Sequence, residues 1–187
     1  MNKIITKLLE KLGLIPPIEN EVNQPCYDKY GRFLGWYSRS VAAAVFTFCK
    51  DKEGNWYVLG SERGEEAADF KGYWNCICGY LDHSETLKAA AAREALEECG
   101  VELEETQLEF VGYEDSPTAN RQNVTFRFAA VINDRTIDSF KFSKKGNEGK
   151  EVGDIKWIKI ENVDHYKWAF NHDERIKEIY EKVVTSA

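Results

Sequence analysis

The chain has no excess of positive charge, no long apolar run and no paired-cysteine motif, and each absence removes a class of function. Lysine and arginine total 25 against 32 aspartates and glutamates, a formal net charge of −7. A basic face able to displace counterions from nucleic acid is therefore not expected, and a phosphate-bearing partner would have to be met through metal ions. No stretch approaches the roughly 18 apolar residues that cross a bilayer, so no membrane span is expected. Cys26, Cys49, Cys76, Cys78 and Cys99 are odd in number and follow no leader with an apolar stretch and a small-residue cleavage site, which favours a reducing cytoplasm. Cys76 and Cys78 stand closer together than a zinc knuckle requires, with no second pair or ligand histidine near, so structural zinc is not expected. His83, His165 and His172 share no ligand spacing, and each is read as a surface or structural residue. Neither an internal repeat nor a low-complexity tract occurs.

What is present suits one well-filled core: 187 residues, 43% hydrophobic and 13% aromatic. Residues 1–39 read as an N-terminal helix and an extended lead-in, and residues 40–187 as the globular body. Ile4, Ile5, Leu8, Leu9 and Leu12 form one helical stripe, with Lys3, Lys7 and Lys11 elsewhere, before Pro16 and Pro17 stop the helix. Such a stripe needs a cover. A membrane surface is one, but packing on its own domain or on a partner subunit is favoured, and the expected assembly is a homodimer. A turn at Lys29 to Gly31 leads into a short extended segment. Val41 to Cys49 and Trp56 to Ser61 are β-branched and aromatic runs joined through Asp51, Gly54 and Asn55, a hairpin. Further strands are expected at Trp74–Cys78, Leu108–Tyr113, Val124–Ile132 and Ile155–Ile160, and helices at Thr86–Cys99 and Glu174–Val184. The polar stretch Asn133 to Gly153, with Lys144, Lys145, Gly146 and Gly149, reads as a mobile surface loop. The mixed order predicts an α/β or α+β sandwich of sheet between helices.

The segment Gly79 to Val101, GYLDHSETLKAAAAREALEECGV, carries the chemistry. At 100° per residue, Ala92, Ala95, Leu96 and Cys99 point one way, while Glu94, Glu97 and Glu98 cluster on the other with Arg93 on the shoulder. Thr86 suits the N-cap and Gly100 the C-cap. Carboxylates at this spacing repel by a few tenths of a kcal/mol per pair unless a cation joins them. Mg²⁺, hard and content with a few carboxylates plus substrate phosphates, would resolve the repulsion. For three glutamates alone, a solvated acidic face would be the better reading.

Gly79, Glu85, Arg93, Glu94, Glu97, Glu98, Gly100 and Val101 fall in register with G-x5-E-x7-R-E-U-x-E-E-x-G-U, where U is aliphatic. In this the chain resembles the Nudix superfamily. It departs only at the first U, which is Ala95, a smaller residue that removes some buried area but no chemistry. The resemblance extends weakly over residues 40–175, including the segment Glu151 to Trp157. It implies a Nudix-type α/β/α sandwich with a mixed central sheet, and a Mg²⁺- or Mn²⁺-dependent pyrophosphohydrolase. The substrate would be a small nucleoside diphosphate derivative, with an ADP-ribose-like compound or a nucleotide sugar ahead of a nucleoside triphosphate.

Carried over from the resemblance, Glu94 and Glu98 would be metal ligands with Glu97 close behind, and the Cys78 backbone carbonyl would complete the site. Arg93 would orient the first glutamate. Glu85 would anchor the loop-to-helix turn by bonding Arg93 or a bound water, with Gly79 and Gly100 as structural support. The family does not fix the general base; Glu151 is the candidate, with Glu148 behind it and an ordinary loop carboxylate as the plain alternative for both. Two other readings stay open. Isopentenyl diphosphate isomerases share the fold and place a catalytic cysteine where Cys78 stands, although Tyr80 replaces their metal-binding histidine; a buried apolar role for Cys78 is favoured. A nucleotide-sensing module without turnover is the other. Trp36, Tyr37, Tyr73 and Trp74 could stack on a base, with core or rim packing favoured; Phe126 and Phe128 read as core. Pro117, 16 residues after the box, lies close to where ADP-ribose hydrolases of the family carry a proline, but turns recruit proline anyway.

Overall fold

A computed structural model of the chain describes residue 12 and residues 24–37, 39–82, 84–116, 123–144 and 148–185. The expected amphipathic helix of residues 3–12 falls almost wholly outside the described residues, as do His83 and Pro117. The chain divides into two compact units, residues 1–40 and 41–187. In the first, β1 (Gln24–Tyr27) and β2 (Phe33–Tyr37) pair antiparallel. Asp28 Oδ1 accepts the N–H groups of Tyr30 and Arg32 at 2.8 and 2.9 Å, and Gly31 takes the left-handed φ of 80° that closes the turn.

The second unit is built on β3 (Val41–Lys50), whose run VAAAVFTFC is buried on both faces of the sheet. Successive strand residues point to opposite faces. Ala43, Val45 and Cys49 thus enter one core cluster, and Ala44, Phe46 and Phe48 the other. Each large side chain so buried contributes about 1.5–3 kcal/mol. Asp51 Oδ1 accepts the Asn55 N–H at 2.8 Å and turns the chain into β4 (Trp56–Arg63).

β3 and β4 pair only over Phe48–Lys50 and Trp56–Val58. Beyond that they diverge, and a broken strand fills the gap: β5 (Trp74–Asn75) pairs with β4, and β6 (Ile77–Tyr80) with β3. The interruption at Cys76 departs from the single strand expected at Trp74–Cys78. On the far side of β3, β8 (Val124–Thr136) runs parallel, with β7 (Leu108–Glu114) antiparallel at the edge. β9 (Val152–Lys159) pairs with β4.

Among the described residues, two helices cover the mixed seven-stranded sheet. α1 (Leu87–Glu94) packs Ala90 and Ala91 into the first cluster, joined by Ala95 and Cys99 from the wider π turn Ala95–Cys99 that continues it. α2 (His172–Tyr180) packs Ile176 and Ile179 into the second. The α/β sandwich with a mixed central sheet is thus present.

At both ends, the segment Asn133–Gly153 departs from the loop its polarity suggested. β8 continues to Thr136, Phe140 and Phe142 pack on the core beside Trp157, and a helical turn at Glu148–Glu151 leads into β9. Two aromatic anchors outweigh the local polarity.

Candidate active site

The box helix begins where sequence places it: Thr86 Oγ1 accepts the Ala89 N–H at 3.1 Å, and Gly100 ends it at φ 72°. Its buried stripe is Ala90, Ala91, Ala95 and Cys99, with Ala92 partly packed; Leu96, expected there, is only half-buried and outside both clusters. The π turn shifts the helical phase over the last residues and accounts for the change.

Arg93 gathers the carboxylates. Its Nε and Nη2 donate to the two oxygens of Glu85 at 2.8 and 3.1 Å, Nη1 donates to Glu94 at 2.7 Å and Glu97 at 3.1 Å, and Nη2 reaches the Tyr80 carbonyl at 3.0 Å. One planar fork thus ties β6, the turn after it and α1. Glu85 Oε2 also accepts the Asp82 N–H at 3.0 Å, and the Arg93 guanidinium holds the Glu85 carboxyl below the usual glutamate range. The same acids push Arg93 further toward its charged form.

Glu94 is largely buried, its side chain 12% exposed, and a Cβ at Gly79 would run into its carboxylate. Only glycine leaves that space. Glu94 and Glu98 line a cavity of about 400 Å³ with Cys78, Gly79, Tyr80 and Glu151, whereas Glu97, 39% exposed, stays outside it on Arg93. Among the described residues, no three acidic, imidazole or thiol side chains already converge as a metal cage. The donor set nevertheless fits a hard cation, since Mg²⁺ retains waters and needs only a few carboxylates. The Glu148 side chain lies outside the described residues.

Cys78 sits between Asn75, whose Nδ2 approaches its sulfur at 3.6 Å, and the acidic cavity. Burial first, then the Glu98 charge, pushes its thiol up to about 12. A thiol so held is a poor source of thiolate.

A second cavity of about 520 Å³ opens from the same Cys78–Tyr80 edge. Arg63 donates to Asp69 at 2.8 Å and stacks 5.2 Å over the Phe170 ring, which meets Phe70 edge to face at 5.0 Å. Arg127 pairs with Glu114 at 3.1 Å across the same lobe. Phe70, Phe170 and Asn171 hold left-handed φ of 49°, 60° and 56°. Such conformations disfavour ordinary side chains by about 1–3 kcal/mol each and gather at ligand sites. Sequence reasoning missed this lobe, because its residues come from widely separated segments with no shared motif. Of the aromatics suspected instead, Trp74 is core and Tyr73 exposed, while the Trp36 and Tyr37 side chains lie outside the described residues.

The family model described as NUDIX domain matches residues 38–182. The chain belongs to the NUDIX domain family. The expected membership of the Nudix family holds. No curated protein matches the chain. Among solved structures, the NUDIX domain of Shewanella oneidensis NrtR, complexed with ADP ribose, is 20% identical, with TM-score 0.64 over 84% of this chain and 94% of that one. A MutT/nudix family protein from Enterococcus faecalis is 18% identical, with TM-score 0.64 over 99% and 75%. A bifunctional NMN adenylyltransferase/ADP ribose pyrophosphatase from Francisella tularensis, complexed with AMP and a Mn ion, is 19% identical, with TM-score 0.62 over 77% and 42%. At these identities the likeness is one of fold. Among the described residues, no helix of this Nudix chain is long and apolar enough to cross a membrane.

Proposed function

We propose that this Nudix protein is a Mg²⁺- or Mn²⁺-dependent pyrophosphohydrolase that cleaves the phosphoanhydride of a nucleoside diphosphate joined to a second group, with an ADP-ribose-like compound or a nucleotide sugar as substrate. The observation that carries the reading is a cleft of two unlike lobes meeting at Cys78–Tyr80. One is lined by Glu94, Glu98 and Glu151, the other by Phe70, Phe170 and Arg127, and Arg63 lines both. The aromatic lobe offers ring faces and guanidinium planes to a nucleobase. The acidic lobe would then receive the diphosphate. The ligands named in the Shewanella and Francisella structures, ADP ribose and AMP with Mn, point in the same direction.

Glu94 and Glu98 would hold the cation, with the Cys78 carbonyl beside them and Glu97 held back on Arg93. Bound there, a divalent ion lowers the pKa of the attacking water and offsets charge on the phosphate oxygens. Arg93 fixes the Glu94 carboxylate, and its grip on Glu85 holds the turn that shapes the cavity. Glu151, at the cavity rim, accepts the proton of the water as its oxygen attacks phosphorus. Tyr80, standing where the isomerases carry a metal-binding histidine, weighs against the isomerase alternative.

The test is incubation with Mg²⁺ and ADP-ribose, nucleotide sugars, dinucleoside polyphosphates and nucleoside triphosphates in turn, with Glu98→Gln in parallel. Cleavage by the wild type, falling about 100-fold or more in the variant, is expected. Tight binding of these compounds with no cleavage of any would replace the hydrolase with a nucleotide-sensing module.

A further inference from the structure

The junction of the helical turn Glu148–Glu151 with β9, which places Glu151 in the acidic lobe, is held by donors from two other parts of the chain. The Glu66 and Gly64 N–H groups donate to the Lys150 and Glu151 carbonyls at 3.2 and 2.6 Å. A Cβ at Gly64 would run into those same carbonyls, so glycine is needed for the approach. From the other side, Lys144 Nζ donates to the Val152 carbonyl at 2.8 Å and also to that of Gly153. Four consecutive carbonyls are thus fixed from outside their own segment.

Lys144 is itself anchored to the box helix. The Ser143 N–H donates to the Cys99 carbonyl at 3.1 Å, and Ser143 lies so close to Gly100 that a Cβ there would meet it. Cys99 follows Glu98 directly, so a short covalent and hydrogen-bonded path runs from Glu98 through Ser143 and Lys144 to the residues after Glu151. We propose that Lys144 is a positioning residue that sets the gap between the helix glutamates and Glu151, with Gly64 closing the same seat from the opposite side. The inference rests on Glu151 being the proton acceptor. An ammonium serves here because its donors can reach two adjacent carbonyls at once. Displacement of a reacting group by about 1 Å can lower a rate roughly 100-fold.

The experiment compares wild type, Lys144→Met, Lys144→Arg, Glu151→Gln and the Lys144→Met/Glu151→Gln double variant on ADP-ribose with Mg²⁺, or on whichever compound the wild type cleaves. Lys144→Met is expected to lower kcat about tenfold or more with KM within about threefold, and Lys144→Arg to restore most of the rate. In the Glu151→Gln background, Lys144→Met should have no further effect, since the group it positions is gone. Gly64→Ala, with its melting temperature measured alongside, is a second route to the same displacement and should show the same dependence on Glu151. Full kcat in Lys144→Met, or an equal loss with and without Glu151, overturns the positioning role. Wild-type kcat in Glu151→Gln instead defeats the proton-acceptor reading itself.

Discussion

Packed between the rings of Phe46 and Phe170, His172 accepts the Cys76 N–H at Nδ1, so protonation would break a buried hydrogen bond as well as bury a charge. Burial first, then the Arg127 and Arg63 charges, depress its pKa to about 3. The sign follows from linkage: below about pH 6.5 the unfolded imidazole takes up a proton that the folded one refuses. Stability due to this residue is complete above that pH and falls on acidification, by up to about 1.4 kcal/mol per pH unit, until the folded ring titrates near pH 3. His172→Asn keeps an acceptor without the titration, so its unfolding free energy should depend less steeply on pH between 6.5 and 4.5 than the wild type's. Parallel slopes in denaturant titrations would refute this. A structural histidine was one of two readings open in the sequence, but its burial depends on Phe46, 126 positions earlier. Arg93 was more legible, since its distance from Glu97 puts both on one helical face. Its grip on Tyr80 O and Glu85 depends on how the turn folds back, which spacing alone does not give.

Elements whose burial is continuous were the easiest to read. β3 is apolar on both faces and was recognised over nearly its full length, because a strand covered by helices on either side cannot alternate. The box helix was bounded correctly at its N-terminus, where Thr86 caps it; the error lay in the phase of its last turn, which a π turn shifts without any residue to announce it. The stretch after β8 was misread for a different reason. It is mostly polar, and its order comes from Phe140, set edge to face on Trp157 at 5.0 Å and capped by Arg135 at 4.5 Å, together with Phe142. Sparse anchors of this kind leave no periodic signal. Phe140→Ala should therefore cost about 2 kcal/mol, below the 3–5 typical of a fully buried phenylalanine because the ring is half-buried. Chemical denaturation gives the number, and limited proteolysis gives the location: new cleavage should appear within residues 136–151. A variant as stable as wild type, with no new cut, would return this segment to the status of an ordinary loop.

At the scale of the molecule, the divergence of β3 from β4 makes the cleft. The broken strand that fills the gap ends at Tyr80, so the acidic helix and the lobe at the start of α2 open from one strand edge. Half of that cleft was written in a contiguous motif of 23 residues and half was not, since Arg63, Phe70, Arg127 and Phe170 converge only through the sheet topology. Charge is placed differently at the two ends of the cleft: Glu94, Glu98 and Glu151 gather at one, while at the other Arg63, stacked on Phe170, and Arg127 are paired with Asp69 and Glu114. If the two ends divide the work, they should separate kinetically. Phe170→Ala removes the ring over which Arg63 stacks, and since stacking of a base on an aromatic ring is worth about 1–3 kcal/mol, KM should rise roughly tenfold while kcat stays within about threefold. Glu98→Gln should do the reverse, lowering kcat and abolishing thermal stabilisation by Mn²⁺ in the absence of nucleotide. Steady-state kinetics on one substrate decides the matter: a Phe170→Ala variant that loses kcat at unchanged KM would place that ring with the reacting phosphates and dissolve the division between the lobes.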